Sequence, residues 1–175
     1  MLYEAQFRNP AGAGKLIQAI RDMDLPELRI MEICGTHTMS IAKAGLRQIL
    51  PPHIHLISGP GCPVCVTPSG VMDEVLRMSQ LPNVTITTYG DLLRVPGSVP
   101  GDNLQRRSAQ GADVRMVYSP MDSLDMAEQE PDREFIFLGV GFETTAPGTA
   151  IAVQEAKARG RKNFSLLSLL KRTEP

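Results

Sequence analysis

The chain of 175 residues has no tryptophan, three tyrosines and five phenylalanines. Base-stacking platforms of the kind that hold single-stranded nucleic acid are therefore scarce. There is no excess of either charge: the formal net charge is −1, which gives no electrostatic ground for nucleic acid or an anionic membrane as partner. No apolar run approaches the roughly 20 residues of a membrane span. Met1-Leu2-Tyr3-Glu4-Ala5 carries no basic stretch ahead of an apolar one, so no secretory leader is expected. Cysteine is sparse and odd in number, three residues in all. Without a leader, that count argues for a reducing compartment, the cytoplasm, and against a disulfide framework.

What is present is a regular alternation of strand and helix patterns. Leu28–Ile33, Ile54–Ile57, Val84–Thr88, Val114–Tyr118, Phe135–Val140 and Phe164–Leu169 are short apolar or β-branched runs, the pattern of strands. Between them lie helical stripes. Leu16, Ile20 and Met23 share one face, and Ile41, Ala42, Gly45, Leu46 and Ile49 form a second that Pro51-Pro52 stops. Thr67-Pro68 starts a third as N-cap and first position, Asp102–Gln110 is a polar helix closed by Gly111, Ser119-Pro120 opens another, and Pro147–Ala158 is the last. The β-α-β rhythm predicts an α/β fold: a mostly parallel, Rossmann-like sheet with helices on both faces. The acidic, proline-bounded Glu128–Asp132 is the best sequence boundary. It divides a first α/β domain, 1–132, from 133–175, the start of a second α/β unit.

The three cysteines fall in two short motifs that follow successive strands. Cys34-Gly35-Thr36-His37-Thr38 follows the first, and Gly59-Pro60-Gly61-Cys62-Pro63-Val64-Cys65 the second. Strand ends are where sites form in open α/β sheets. A CxxC at a strand-to-helix turn lets two sulfurs pair or share a metal, and a helix N-terminus favours thiolate. Two small buried hydrophobes would be the plain alternative. Cys34 and His37 form a C-x-x-H. With the CxxC this is numerically a four-ligand zinc set, while His37 alone is equally read as a helix-start residue bonding backbone. His53 and His55 alternate on a strand start, which is more simply solvated than metal-binding. Gly139-Val140-Gly141-Phe142-Glu143-Thr144 has Thr144 where a dinucleotide loop needs a third glycine, and Ala11–Leu16 lacks the first glycine and the hydroxyl residue of a P-loop. Glu143, Thr144 and Thr145 still stand at a strand-to-helix mouth, and Asp91 follows the third strand as a polar acceptor or a helix cap.

Taken together, four motifs resemble the HypD family of hydrogenase maturation factors. They are Cys34–Thr38, Gly59–Pro68, Tyr89-Gly90-Asp91-Leu92-Leu93-Arg94-Val95-Pro96-Gly97 and Gly141-Phe142-Glu143-Thr144-Thr145-Ala146-Pro147, and the likeness runs from the N-terminus to about Ser168. The resemblance implies a part in assembling the Fe(CN)2(CO) unit of nickel–iron hydrogenases, with a HypC-type small chaperone and a HypE-type cyanide donor as partners. By motif match, Cys34 would ligate the iron and Cys62 and Cys65 would be a redox-active pair. His37 and Glu143 would line the assembly cleft, with Thr36, Asp91 and Thr144 beside the cofactor. A soft thiolate suits such an iron, and a dithiol closing to a disulfide releases two electrons. Family members are longer and carry a 4Fe–4S cluster on four further cysteines. Such a cluster needs four thiolates, which this chain of three cysteines does not supply. After Ser168 the sequence also leaves the family pattern, with Leu170-Lys171-Arg172-Thr173-Glu174-Pro175 in place of a His-Lys pair. The expectation is an N-terminal fragment or truncated copy. A zinc-binding structural module on Cys34, His37, Cys62 and Cys65, or a thiol–disulfide oxidoreductase, remain the other readings of the same residues.

Overall fold

The computed structural model describes residues 9–173, so the N-terminal segment Met1–Ala5 and the final Glu174-Pro175 lie outside the described residues. The chain forms two compact units, Met1–Gly61 and Cys62–Pro175. All strand pairings in both are parallel, which is the α/β architecture the alternating pattern implies.

In the first unit, helix α1 (Pro10–Asp22) starts at Asn9, whose side-chain oxygen accepts from the amides of Ala11 at 3.0 Å and Gly12 at 3.2 Å. Proline at the first helical position loses no hydrogen bond there. Strand β1 (Leu28–Glu32) pairs with β2 (Ile54–Ser58) in the register Leu28↔Ile54 to Glu32↔Ser58. The stripe read as one helix over Ile41–Ile49 is in fact two, α2 (Gly35–Lys43) and α3 (Leu46–Ile49). Gly45 divides them because it takes a left-handed conformation, φ +61°, which interrupts the α-helical ladder. Among the described residues of this unit Pro51 alone is buried, and Ile30, Met31, Ile33, Met39 and Ile57 are exposed. Two strands bury too little apolar surface to make a core.

The second unit holds a four-stranded sheet in the order β4-β3-β5-β6. Its elements are α4 (Ser69–Met78), β3 (Val84–Thr88), a 3-10 turn (Gly90–Arg94), α5 (Leu104–Ala109), β4 (Val114–Met116), α6 (Pro120–Gln129), β5 (Glu134–Gly141), α7 (Ala146–Ala158) and β6 (Phe164–Leu170). On one face Met72, Val75 and Leu76 of α4 pack with Val84, Ile86, Leu92, Leu104, Leu138 and Val140. On the other, Thr87 of β3 shares a 2.6 Å hydrogen bond with Ser123 of α6, both buried. All of β3 is buried, as a strand covered on both faces must be. No helix among the described residues is long and apolar enough to cross a membrane.

The boundary expected at 132/133 falls inside this sheet. β5 pairs with β3 on one side and β6 on the other, so the strands after Asp132 complete the layer that β3 begins. Glu128–Asp132 covers the end of α6 and its link to β5, where Glu130 pairs with Arg115. The break lies instead at Gly61/Cys62, between the two cysteine motifs.

Connectivity places the motif turns of this unit along one edge. From β3 the chain moves outward to β4, then returns across to β5. The topological switch point, the crevice where ligands bind in open α/β sheets, therefore lies between the carboxyl ends of β3 and β5. Thr88 and Gly141 end those strands. Helix α4 feeds β3 through the short Ser79–Asn83 link, so its N-terminus and the preceding Cys62–Thr67 turn stand at the same edge.

Gly141 is a position where only glycine fits. Its φ is +157°, and a Cβ there would lie 1.8 Å from Thr145 Oγ1. Gly148, in the first turn of α7, has nothing within 4 Å of that position. Gly141→Ala is expected to cost about 2 kcal/mol or more, whereas Gly148→Ala should be neutral or stabilising by up to ~1 kcal/mol. Urea midpoints of the two variants check this, and equal effects would contradict the geometry.

Candidate functional site

The first unit presents Cys34 at the mouth of α2. The residue is extended (φ −141°, ψ 130°) and serves as N-cap. Its carbonyl accepts from the amides of His37 at 2.8 Å and Thr38 at 3.2 Å. Its sulfur lies 3.0 Å from Thr36 Oγ1. The Thr36 hydroxyl, followed by the amides of Thr36 and His37, holds the Cys34 thiol below its ordinary pKa, with the Glu32 charge opposing. The Thr36 hydroxyl stands beside the sulfur because the first turn of α2 brings residue 36 back toward Cys34, and a helix N-terminus is a place that favours thiolate. His37 and Thr36 are exposed beside it, and Thr38 is half-buried.

Glu32 was missed by the sequence reading. Its carboxylate accepts from the Cys34 amide at 3.1 Å and from the Thr38 hydroxyl. Those bonds, Thr38 first, hold it below the usual carboxylate range, helped by Ser58 and by His37 nearby. The available signal was a carboxylate ending a strand two residues before a cysteine. In a parallel strand that position reads as an ordinary solvent-facing charge.

The second unit opens with the CxxC turn. Cys62 and Cys65 form no disulfide, and their sulfurs lie 2.9 Å apart. The Cys65 amide donates to Cys62 Sγ at 3.2 Å, and Cys65 is the more exposed of the pair. The turn is pinned from below, since Val64 packs on the core and Thr67 Oγ1 donates to the Pro63 carbonyl at 2.9 Å. Thr67 is thus not the helix cap that the sequence suggests. Pro68 is the N-cap and α4 begins at Ser69, because the Thr67 hydroxyl is already committed to closing the turn.

After β3, Asp91 is exposed in the 3-10 turn and lines an open cleft of about 450 Å³ on the β4 side, with Arg94, Gln105 of α5 and Met116 of β4. Another cleft, of about 400 Å³, lies at the opposite edge around Asn83, Arg107 and Arg133 and touches none of the motif residues. Glu143 and Thr144 are exposed after β5. Thr145 is the N-cap of α7 but makes no side-chain cap bond. Its hydroxyl donates back to the Phe142 carbonyl at 2.9 Å, folding the turn on itself. Glu143 accepts from the amide of Thr173 at 2.7 Å and from its hydroxyl at 3.0 Å, and this holds its carboxyl below the ordinary range.

The metal-type donors divide between the units, with Cys34 and His37 in the first and Cys62 and Cys65 in the second. Within neither unit do three or more described His, Cys, Asp or Glu side chains gather as a metal nest. His53 sits in the turn before β2 rather than on the strand, and His55 faces Glu27 at 3.6 Å.

Because the Thr36 hydroxyl is the largest influence on Cys34, Thr36→Val should move the thiol pKa upward. With Cys62 and Cys65 changed to serine, the pH midpoint of Cys34 alkylation is expected to rise in Thr36→Val. An unchanged midpoint would remove Thr36 from the site.

Comparison with known proteins gives one consistent relation. The family model HypD, described as "Hydrogenase formation hypA family", matches residues 12–175. The chain is 46% identical over 168 residues to the hydrogenase maturation factor HypD of Rhizobium leguminosarum bv. viciae, covering 95% of this chain and 43% of that protein. It is 47% identical over 172 residues to the HypD of Escherichia coli strain K12, covering 94% and 45%. Against the HypD of Rhodobacter capsulatus it is 46% identical over 173 residues, covering 95% and 45%. The chain spans somewhat under half the length of these relatives. A family match across nearly the whole chain, joined to the two cysteine turns and the Glu143 turn it contains, shows that this chain belongs to the HypD family of hydrogenase maturation factors.

Proposed function

We propose that the chain serves as a scaffold on which the Fe(CN)2(CO) unit of a nickel–iron hydrogenase is assembled, in the cytoplasm. The iron unit is the cargo of this chemistry. Cys34 is its ligand on this chain, and a HypC-type small chaperone supplies a further thiolate. A HypE-type protein donates the cyanide. The observation that carries the reading is the Cys34 environment, in which the residue caps the start of α2 with the Thr36 hydroxyl 3.0 Å from its sulfur, a setting that favours the anionic form. A soft thiolate is the donor that suits a low-spin iron with diatomic ligands.

Cys62 and Cys65 act as the redox pair. Their sulfurs stand 2.9 Å apart, so a disulfide-bearing partner can take two electrons and two protons from them by thiol–disulfide exchange, leaving a Cys62–Cys65 disulfide on this chain and a dithiol on the partner, with little movement of the turn. His37 and Glu143 contribute an imidazole and a carboxylate to the assembly chemistry. Thr36, Asp91 and Thr144 contribute polar contacts to the cargo. The 4Fe–4S cluster that the resemblance brings with it does not fit this chain, whose three cysteines are one short of a ligand set before any other role is counted. No electron step is assigned to it.

The distance between the two sulfurs also favours a second reading, a general thiol–disulfide oxidoreductase, in which Cys34 has no metal role. The two separate in one experiment. The chain is expressed with its small chaperone partner under anaerobic conditions, and infrared spectra are taken for iron-bound cyanide and carbonyl stretches. The wild type is expected to show them, and Cys34→Ser to lose them while its circular dichroism is unchanged. Bands that persist in Cys34→Ser would overturn the scaffold reading, and turnover of a generic disulfide substrate lost in Cys62→Ser would support the oxidoreductase.

A further inference from the structure

We infer that Glu32 is a positioning residue for the Cys34 loop: its carboxylate is the knot that fixes where the metal-binding sulfur points. The inference rests on the reading of Cys34 as the iron ligand and extends it to a residue outside the cysteine motif.

Glu32 is the last residue of β1, and its side chain gathers two donors from the start of α2. The Cys34 amide reaches Oε2 at 3.1 Å, and the Thr38 hydroxyl in the second turn of α2 reaches Oε1. Ser58, which ends β2, helps to hold the carboxylate ionised, and Arg47 of α3 donates to Ser58 Oγ at 3.1 Å. The carboxylate therefore ties the end of β1 to α2. Its own backbone carbonyl separately accepts from the Gly59 amide at 2.8 Å, and a Cβ on Gly59 would meet that oxygen at 2.2 Å.

A polar knot matters here because apolar packing cannot do the same work. The unit buries only Pro51 among its described residues, so the direction of the Cys34 peptide is not set by a packed core. It is set by what the Cys34 N–H and the Thr38 hydroxyl bond to. With the carboxylate removed, the Cys34 N–H loses the acceptor that fixes its direction, and the sulfur shifts from the Thr36 hydroxyl. Hydrogen bonds to a charged acceptor are roughly twice as strong as neutral ones, which suits a hinge that must hold one orientation.

The test uses Glu32→Ala and Glu32→Gln in the full chain, expressed anaerobically with the small chaperone, with Cys34→Ser as control. Iron per chain is expected to fall at least tenfold in Glu32→Ala and to return to within about threefold of wild type in Glu32→Gln. A glutamine can accept from Cys34 N–H through its carbonyl and donate to the Thr38 oxygen through its amide. Amide hydrogen exchange supplies the local readout. Glu32→Ala should lose protection at Cys34 while keeping it at Gly59, whose partner is the residue 32 backbone. Loss at both amides, or failure of glutamine to rescue, would mean that Glu32 acts only through stability or charge and would overturn the proposal. Iron retained in Glu32→Ala but lost in Cys34→Ser would overturn it while sparing the Cys34 assignment. Iron retained in Cys34→Ser would remove the assignment itself.

Discussion

Parallel strand pairing is the constraint on which the rest of this protein depends. Strands that run the same way must be joined by crossovers, and each crossover helix returns the chain to the amino edge. Every strand-to-helix turn is thereby left at the carboxyl edge of its own sheet. In the first unit that edge receives Cys34 after β1 and Gly59 after β2. In the second it receives Asp91 after β3 and Glu143 after β5, with the Cys62–Cys65 turn at the head of α4. The chemistry-bearing residues are scattered along the sequence, and the topology alone gathers them by unit.

The two units secure their turns by different physics. The second has a packed core with helices on both faces, and its turns are anchored to it through Val64, Leu92 and Gly141. Among its described residues the first has two strands and almost no buried side chain. Its site is held by hydrogen bonds that converge on Glu32 and by the short backbone link from Gly59 to Glu32. A thiolate at the mouth of α2 is thus supported by polar geometry rather than by packing. The Thr173 contact on Glu143 likewise satisfies an exposed carboxylate with nearby backbone.

Much of this was legible in the residues. All six strands among the described residues stand within three residues of where apolar and β-branched runs place them, since those are the residue types that strands favour whether buried or not. Ser119-Pro120 marks the start of α6, and the structure adds to it a capping box through Asp122. The family itself is carried by four motifs long enough to be specific. What was not legible depends on long-range pairing. The acidic break at Glu128–Asp132 looks like a linker, yet β5 crosses to pair with β3, a contact no local pattern encodes. Thr67 has every local mark of an N-cap and lost that role to a carbonyl four residues back. Glu32 looks like a surface charge until the loop folds over it.

The central claim is that Cys34 offers a thiolate for iron that is completed only by a partner. It is tested most directly by purifying the chain anaerobically, alone and with its small chaperone, and measuring bound iron and zinc. The account predicts iron near one equivalent in the complex and essentially none in the chain alone. Zinc near one equivalent in the chain alone, with unfolding on chelation, would contradict it. Cys34, His37, Cys62 and Cys65 would then be a structural zinc set.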